Sequence, residues 1–290
     1  MELGLKGKKV ILTGGSRGLG RAALELYAAE GADIAFFSRN PEGVQEAKES
    51  LEKHGGKVFA EAFEVKDMES YSTWLARAAD ELGGCDIFVH NISSSGAGGS
   101  GDWDMTFNLD IKAAVTSIDT LEPYLEKSQD GSVIFMASTA AIETFIRPQA
   151  FNALKAALIT YGKQVSQSLG PKGIRVNMIS PGPIVFPGGN WSKVKEAKPD
   201  FYDMTKAQMV LGRFGTPDDV AKTVVFISSP ASNYTTGTNV IIDGGYTKRV
   251  QFQTLSVTIL KQAKSIGDII RLQAIHRAEN IALIFNDKPI

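Results

Sequence analysis

Short apolar runs alternate along the chain with stretches in which apolar residues recur at helical spacing. The runs lie at residues 9–12, 33–37, 58–63, 87–89, 132–136, 174–179 and 240–242. The clearest helical stretches, 19–29 and 41–53, follow the first two runs, and the second ends before the pair Gly55-Gly56. Continuous apolar strands separated by helices are typical of a parallel sheet covered on both faces. The pattern therefore predicts a doubly wound α/β fold, in which ligands bind beyond the carboxyl ends of the strands.

A glycine-rich segment follows the first predicted strand and opens the first predicted helix. It reads Thr13-Gly14-Gly15-Ser16-Arg17-Gly18-Leu19-Gly20. Glycines allow the backbone to turn tightly and approach a pyrophosphate, and the N–H groups at a helix start attract anions. A flexible turn has a similar composition, but the order strand, glycines, helix favours a phosphate cradle. We expect this cradle to bind a dinucleotide through Gly14, Ser16, Arg17, Gly18 and Leu19.

The end of the second predicted strand reads Ser38-Arg39-Asn40. A carboxylate at this place would bind both hydroxyls of the adenosine ribose, and these three residues offer none. Arg39 instead presents a fork of donors that suits a phosphate, and Arg17 would stand on the same side. Two solvated surface arginines are the alternative. The positions of both arginines and the missing acid favour NADP(H) over NAD(H).

Composition narrows the functional classes. The 290 residues have a formal net charge of −1 and are 43% hydrophobic, which is typical of a globular protein. Such a charge gives no field that would attract nucleic acid or a membrane surface. With Cys85 as the single cysteine and three histidines, neither a disulfide framework nor a metal site is expected. No signal-like start and no long apolar run is present, so we expect a cytoplasmic protein.

The chain resembles the short-chain dehydrogenase/reductase family over about residues 5–248. The glycine segment matches Thr-Gly-x-x-x-Gly-x-Gly, and residues 86–93 (DIFVHNIS) align with a segment that usually ends Asn-Asn-Ala-Gly. Arg213-Phe214-Gly215 and Asp243-Gly244-Gly245 are characteristic of the family's C-terminal half. The resemblance implies one Rossmann-type domain at residues 1–250, a small-molecule substrate and a homo-oligomer, either dimer or tetramer. It implies cofactor contacts from Ser38, Arg39, Asn40, Glu64, Val65, Asn91, Lys155, Pro181, Gly182 and Ile184.

The resemblance also implies a set of catalytic residues, with one departure. Ser138 matches the catalytic serine, Asn108 lies at the place of the proton-relay asparagine, and Lys155 matches the lysine of Tyr-x-x-x-Lys. That motif begins with Phe151 here, so the phenol that exchanges the proton is absent. A positioned general acid typically contributes ~10²–10⁴-fold. Ordinary alcohol–ketone chemistry should therefore be badly impaired, while Lys155 keeps its expected role in binding the ribose.

Three side chains are candidates for replacing the phenol. Tyr161 lies several turns beyond Phe151 and is rotated off that helix face. Glu143 follows Ser138 closely enough to enter the pocket, although a solvated loop carboxylate is the commoner case. His90 fits the role of a packed strand residue better than that of a catalytic group. The sequence does not decide which of these three side chains replaces the phenol.

Three functional interpretations stay open. The first is a reductase whose chemistry tolerates the loss of the phenol, such as hydride transfer to an iminium or a conjugated alkene. The second is a weakly active or inactive NADP(H)-binding scaffold or sensor. The third is a carbonyl reductase in which a displaced group supplies the proton. We expect an NADP(H)-dependent oxidoreductase with an atypical active site, acting on a small organic carbonyl, imine or conjugated substrate.

Two further segments bear on the substrate and on the chain end. Residues 187–209 hold the substrate-lid position, where Trp191, Phe201 and Tyr202 would line an apolar pocket or pack between subunits. In the tail, residues 265–277 have a helical pattern and residues 280–285 (NIALIF) read as a strand. This order resembles the opening of an AMP-forming acyl-CoA synthetase without its catalytic motifs. Residues 251–290 are then either a fragment of a following domain or an extension that packs across a subunit interface.

Overall fold

The computed structural model describes residues 1–94, 101–143 and 148–248. Within them lies one parallel sheet with the strand order β3-β2-β1-β4-β5-β6-β7. Its strands are β1 Lys9–Thr13, β2 Asp33–Ser38, β3 Val58–Ala62, β4 Ile87–His90, β5 Ser132–Met136, β6 Arg175–Pro181 and β7 Asn239–Ile242. The predicted doubly wound α/β fold of the Rossmann type is thereby confirmed. The order reverses between β1 and β4, where folds of this type bind their ligands.

Helices cover both faces of the sheet. They are α1 Gly18–Ala29, α2 Pro41–Glu52, α3 Met68–Leu82, α4 Trp103–Thr106, α5 Ala113–Leu125, α6 Ala150–Leu169, α7 Asn190–Ala197, α8 Pro199–Ala207 and α9 Pro217–Ser228. Alternate strand residues point to opposite faces, so Val10 and Leu12 join the core under α1, α2 and α9. Ile11 between them joins the second core, under α3, α5 and α6. Both faces are thus buried, which explains why the strands read as continuous apolar runs.

The predicted strands are all present, with bounds that differ from the prediction by two residues at most. Residues Met1–Thr247 form one compact unit. The helix and strand predicted within residues 251–290, and the boundary at 250, lie outside the described residues. Among the described helices, none combines the length and the apolar character needed to cross a membrane.

Candidate active site

The carboxyl ends of β1 and β4 are joined by a small hydrogen-bond network. The Thr13 hydroxyl oxygen accepts from the backbone N–H of Asn91 (2.9 Å) and of Ile92 (3.1 Å). The Asn91 side-chain amide donates to the carbonyl oxygens of Thr13 (3.0 Å) and Gly14 (2.8 Å). Asn91 is a predicted cofactor residue, and the structure places its side-chain amide on the glycine segment. It therefore holds the start of that segment in place.

The glycine segment leaves no room for a side chain at Gly20. Gly14 has φ +79°, and a Cβ added to Gly20 would lie 2.2 Å from the Gly14 carbonyl oxygen. Helix α1 begins at Gly18, and the Arg17 side chain before it makes no capping hydrogen bond. The first N–H groups of a helix have no partner within the helix and carry a partial positive charge. This backbone fits the pyrophosphate of a dinucleotide.

The end of β2 holds the residues predicted to contact the adenosine ribose. The Ser16 and Ser38 hydroxyls share a hydrogen bond of 2.8 Å, which joins the glycine segment to this strand. Asn40 is the N-cap of α2, where its side-chain oxygen accepts from the Glu42 N–H (3.1 Å). Arg17 and Arg39 are exposed, and the described residues include no ion pair for either. Two guanidinium groups thus remain available at this edge.

The remaining predicted cofactor residues lie at three places. Glu64 is exposed and Val65 packs against the second core, while Leu19 packs against the first. Pro181 ends β6, and the Gly182 N–H donates to Ile242 (2.9 Å). Ile184 forms an isolated bridge with Gly215. The Phe186 ring packs against the start of α1, so closely that a Cβ added to Gly18 would lie 2.8 Å from the ring.

Lys155 is held in the interior by three groups. Its ammonium lies 2.8 Å from Asp110 Oδ1, and the two side chains are 3% and 0% exposed. The ammonium also donates to the Met136 carbonyl oxygen (2.6 Å) at the end of β5. It stands 5.7 Å from the centre of the Phe151 ring, over its face. The Phe151 ring therefore packs beneath a cation.

Asp110 is a site residue that the family resemblance did not indicate. Burial by itself raises the pKa of its carboxyl, but Lys155 and hydrogen bonds from Ser93 and the Ser94 N–H (3.1 Å) hold that pKa below its ordinary value. The carboxyl is therefore ionised at neutral pH. Helical spacing from the buried Thr106 places Asp110 on an inward face, and a buried charge requires a partner. That spacing was the available signal.

Asn108 and Asp110 lie on one wide helical turn but face different surroundings. Residues Phe107–Lys112 form a π-helical turn between α4 and α5. Asn108 on this turn is exposed, whereas Asp110 is buried. The structure thus brings Lys155 together with Asp110 rather than with the predicted relay residue Asn108. Turns of this type are frequent at functional sites because the extra residue re-aims the side chains.

Ser138 lies just beyond the end of β5, two residues after the carbonyl group that binds Lys155. It is half-buried and precedes a short 3₁₀ turn, Thr139–Ala141. Its hydroxyl oxygen accepts from the Ala140 N–H (3.1 Å). The Thr139 hydroxyl donates to the Pro181 carbonyl oxygen (3.3 Å), which joins this turn to the end of β6. The Ser138 hydroxyl proton can therefore be donated toward a substrate.

Comparison with known proteins places this geometry in a family. The family model described as enoyl-(acyl carrier protein) reductase matches residues 14–247, a span from the glycine segment to the end of the described chain. The chain belongs to the short-chain dehydrogenase/reductase family. The isoepoxydon dehydrogenase patN of Penicillium expansum is 34% identical over 257 residues, which are 87% of this chain and 99% of the relative. The 3-oxoacyl-[acyl-carrier-protein] reductase FabG of Chlamydia pneumoniae is 30% identical over 256 residues, 85% of this chain and all of the relative.

Solved structures of the same family agree with the fold. The L-sorbose reductase of Gluconobacter frateurii, complexed with NADPH and L-sorbose, superposes with a TM-score of 0.78 at 29% identity. The match covers 86% of this chain and 100% of that structure. A short-chain dehydrogenase/reductase of Serratia marcescens gives a TM-score of 0.76 at 28% identity, over 84% and 99% of the two chains. This member of the family is therefore a nicotinamide-dependent dehydrogenase/reductase by relationship.

The three candidate replacements for the family's phenol lie in different surroundings. His90 is fully buried between the rings of Phe88 and Phe135, and neither ring nitrogen has a hydrogen-bond partner among the described residues. Burial and then the Lys155 charge lower its pKa to about 4, so its ring is neutral at pH 7. Burial raises the pKa of Tyr161 to about 12. Glu143 is half-buried, and its charge adds to burial in raising the pKa of Tyr246.

The family's lid position holds an aromatic cluster. Helices α7 and α8 carry Trp191, Phe201 and Tyr202, which were expected to line a pocket or to pack between subunits. Trp191 stacks on Phe201 at 6.1 Å and lies 5.0 Å from Phe214, while Tyr202 stacks on Phe214 at 4.4 Å. The three rings therefore pack on one another and on Phe214, so that the lid is anchored to that residue.

Proposed function

We propose that this protein is an NADP(H)-dependent oxidoreductase whose hydride transfer needs no tyrosine phenol. Its substrate is a small organic carbonyl, imine or conjugated compound. The observation that carries the cofactor preference is the pair of exposed guanidinium groups, Arg17 and Arg39, which have no ion-pair partner among the described residues and lie beside the Ser16–Ser38 hydrogen bond. Arginine binds a phosphate with two parallel hydrogen bonds, and no carboxylate in the segment 38–40 competes for the ribose hydroxyls.

Different residues would bind different parts of the dinucleotide. The start of α1 would hold the pyrophosphate, Arg17 and Arg39 the phosphate of the adenosine ribose, and residues 181–184 the nicotinamide side. When bound, the reduced nicotinamide supplies a hydride to the substrate. The Lys155 ammonium donates to the Met136 carbonyl oxygen and pairs with the Asp110 carboxylate, which leaves an N–H for a ribose hydroxyl. Ser138 donates its hydroxyl proton to a polar atom of the substrate.

Charge reversal at Arg39 tests the cofactor preference. We expect Arg39→Asp to weaken NADPH binding about 10- to 100-fold, because a charge-assisted bidentate contact becomes a repulsion. NADH binding should not weaken in this way, since a carboxylate at this place can bind the ribose hydroxyls. Dissociation constants measured by titration calorimetry for both cofactors check this. Lys53→Asp is the matched control, since Lys53 is an exposed cation at the far end of α2, about 18 Å along the helix. An equal loss of affinity for both cofactors in Arg39→Asp would contradict NADP(H) specificity.

A scaffold or sensor is the second candidate. The Phe151 ring under the Lys155 ammonium favours it, because phenylalanine has no proton to supply where the family has a phenol. Phe151→Tyr restores the phenol one helical turn from Lys155. If the pocket is otherwise a working active site, this variant should raise ketone reduction by about 10²-fold or more, measured as loss of NADPH absorbance. No gain with any aldehyde or ketone would favour the scaffold.

A further inference from the structure

The charge balance around Lys155 bears on which substrates the proposed reductase accepts. We infer that the site reduces a cationic carbon–nitrogen double bond, an iminium, in preference to a neutral ketone, and that Asp110 is the positioning residue that sets this preference. The inference rests on the proposed function and names its substrate class.

The ammonium of Lys155 is neutralised where it stands. Asp110 Oδ1 lies 2.8 Å from it, and both side chains are withdrawn from water. His90 adds no charge to this group at neutral pH, as its buried ring holds no proton there. An ion pair acts on its surroundings as a dipole, so its field falls off faster than that of a single cation. The buried Lys155–Asp110 pair therefore contributes nearly no net charge to the site.

A neutral surrounding disfavours ketone reduction at this site. Hydride addition to a ketone places a negative charge on oxygen, which needs a proton donor or a fixed positive charge beside it. Phe151 has no proton to give, and Asp110 cancels the charge of Lys155. Ser138 is then the described residue that is placed to donate to the oxygen.

Reduction of an iminium places no negative charge on the substrate and so needs no proton donor. Hydride adds to its carbon, the carbon–nitrogen π pair moves onto nitrogen, and a neutral amine results without uptake of a proton. The two electrons come from the reduced nicotinamide dinucleotide, which is oxidised. A cation enters the site more readily when Lys155 is paired, because an uncompensated ammonium would repel it. The Phe151 face already lies 5.7 Å from one cation, and aromatic faces attract cations.

Binding and turnover of two matched probes test the inference. The cationic probe is N-methyl-dihydroisoquinolinium, and the neutral probe is α-tetralone, which has the same bicyclic skeleton. Calorimetric binding to the full chain without cofactor is the first readout, and single-turnover NADPH oxidation is the second. We expect the iminium to bind and react on the order of 10- to 100-fold better than the ketone.

Substitution of Asp110 separates this charge effect from a structural one. Asp110→Asn should lower iminium affinity about tenfold and leave the affinity for the ketone nearly unchanged. Asp130→Asn is the control, since Asp130 pairs with Lys8 at the same 2.8 Å on the surface. If Asp110→Asn does not fold, the double variant Asp110→Asn/Lys155→Met removes both charges and should recover the iminium preference.

The outcomes distinguish this inference from the proposed function. NADPH binding together with ketone turnover that equals or exceeds iminium turnover overturns the substrate class and leaves the proposed oxidoreductase standing. NADPH binding without turnover of the iminium also overturns it. Equal losses of affinity for both probes in Asp110→Asn overturn the role of Asp110. Absence of NADPH binding overturns the proposed function itself.

Discussion

Replacing Asp110 by asparagine should destabilise the whole domain, because it leaves the Lys155 ammonium buried without its counter-charge. The two side chains lie 2.8 Å apart and are 0% and 3% exposed, so water cannot replace the lost carboxylate. Asparagine has nearly the same volume as aspartate and retains an oxygen for the Ser94 N–H. The substitution therefore changes the charge while it leaves no cavity.

The size of the effect follows from the loss of one partner of the pair. Breaking one partner of a buried ion pair typically costs 3–5 kcal/mol. The Met136 carbonyl oxygen stays as an acceptor for the ammonium, so we expect a loss of roughly 3–4 kcal/mol in the free energy of unfolding.

Urea unfolding followed by circular dichroism measures this loss. The wild type, Asp110→Asn, Asp130→Asn and the double variant Asp110→Asn/Lys155→Met form the set, compared at equal m-values. The surface pair of Asp130 should contribute less than about 1 kcal/mol. The double variant should be more stable than Asp110→Asn, since no uncompensated charge is left. A loss in Asp110→Asn no larger than in Asp130→Asn, or a double variant less stable than the single one, would refute the reasoning.

Two further predictions concern His90 and the glycine segment. Because the pKa of His90 is about 4 in the folded chain against an ordinary value near 6.5, the unfolded state binds more protons between these values. His90 should therefore make stability fall by about 3 kcal/mol as pH drops from 6.5 to 4, and this part of the pH dependence should vanish in His90→Asn; an unchanged slope would contradict it. Gly20→Ala should weaken NADPH binding more than about tenfold, because the added Cβ would lie 2.2 Å from the Gly14 carbonyl oxygen. Gly170→Ala is the control, since a Cβ there meets nothing within 4 Å. Equal NADPH affinities of the two variants would count against the predicted phosphate cradle.

Much of the fold could be predicted from local pattern. Strands buried on both faces must be apolar at every position, so the runs 33–37 and 132–136 stood out from their surroundings. Glycines that open a helix after the first strand place an anion-binding turn at a known point of such a sheet. The cofactor cradle and its position were therefore accessible from the sequence.

The contacts of individual polar side chains were not accessible in the same way. Asn91 and Asn40 are polar residues at the predicted edge, yet one holds the glycine segment and the other caps α2. Asn108 matched a relay position by alignment, but the π-helical turn leaves it exposed. Small shifts in helical phase decide such outcomes, and residue type and spacing do not specify them.

The sequence by itself determined the alternation of strands and helices, the glycine-rich turn after β1 and the phenylalanine at position 151. These features depend on hydrophobic period, glycine and residue identity, which are local properties of the chain. Only the tertiary structure decided that Lys155 is neutralised, because its partner Asp110 comes from a turn 45 positions earlier in the chain. The partner of a buried charge depends on which opposite charge lies nearby after distant elements have packed together. Residue type and spacing along the chain do not specify that packing.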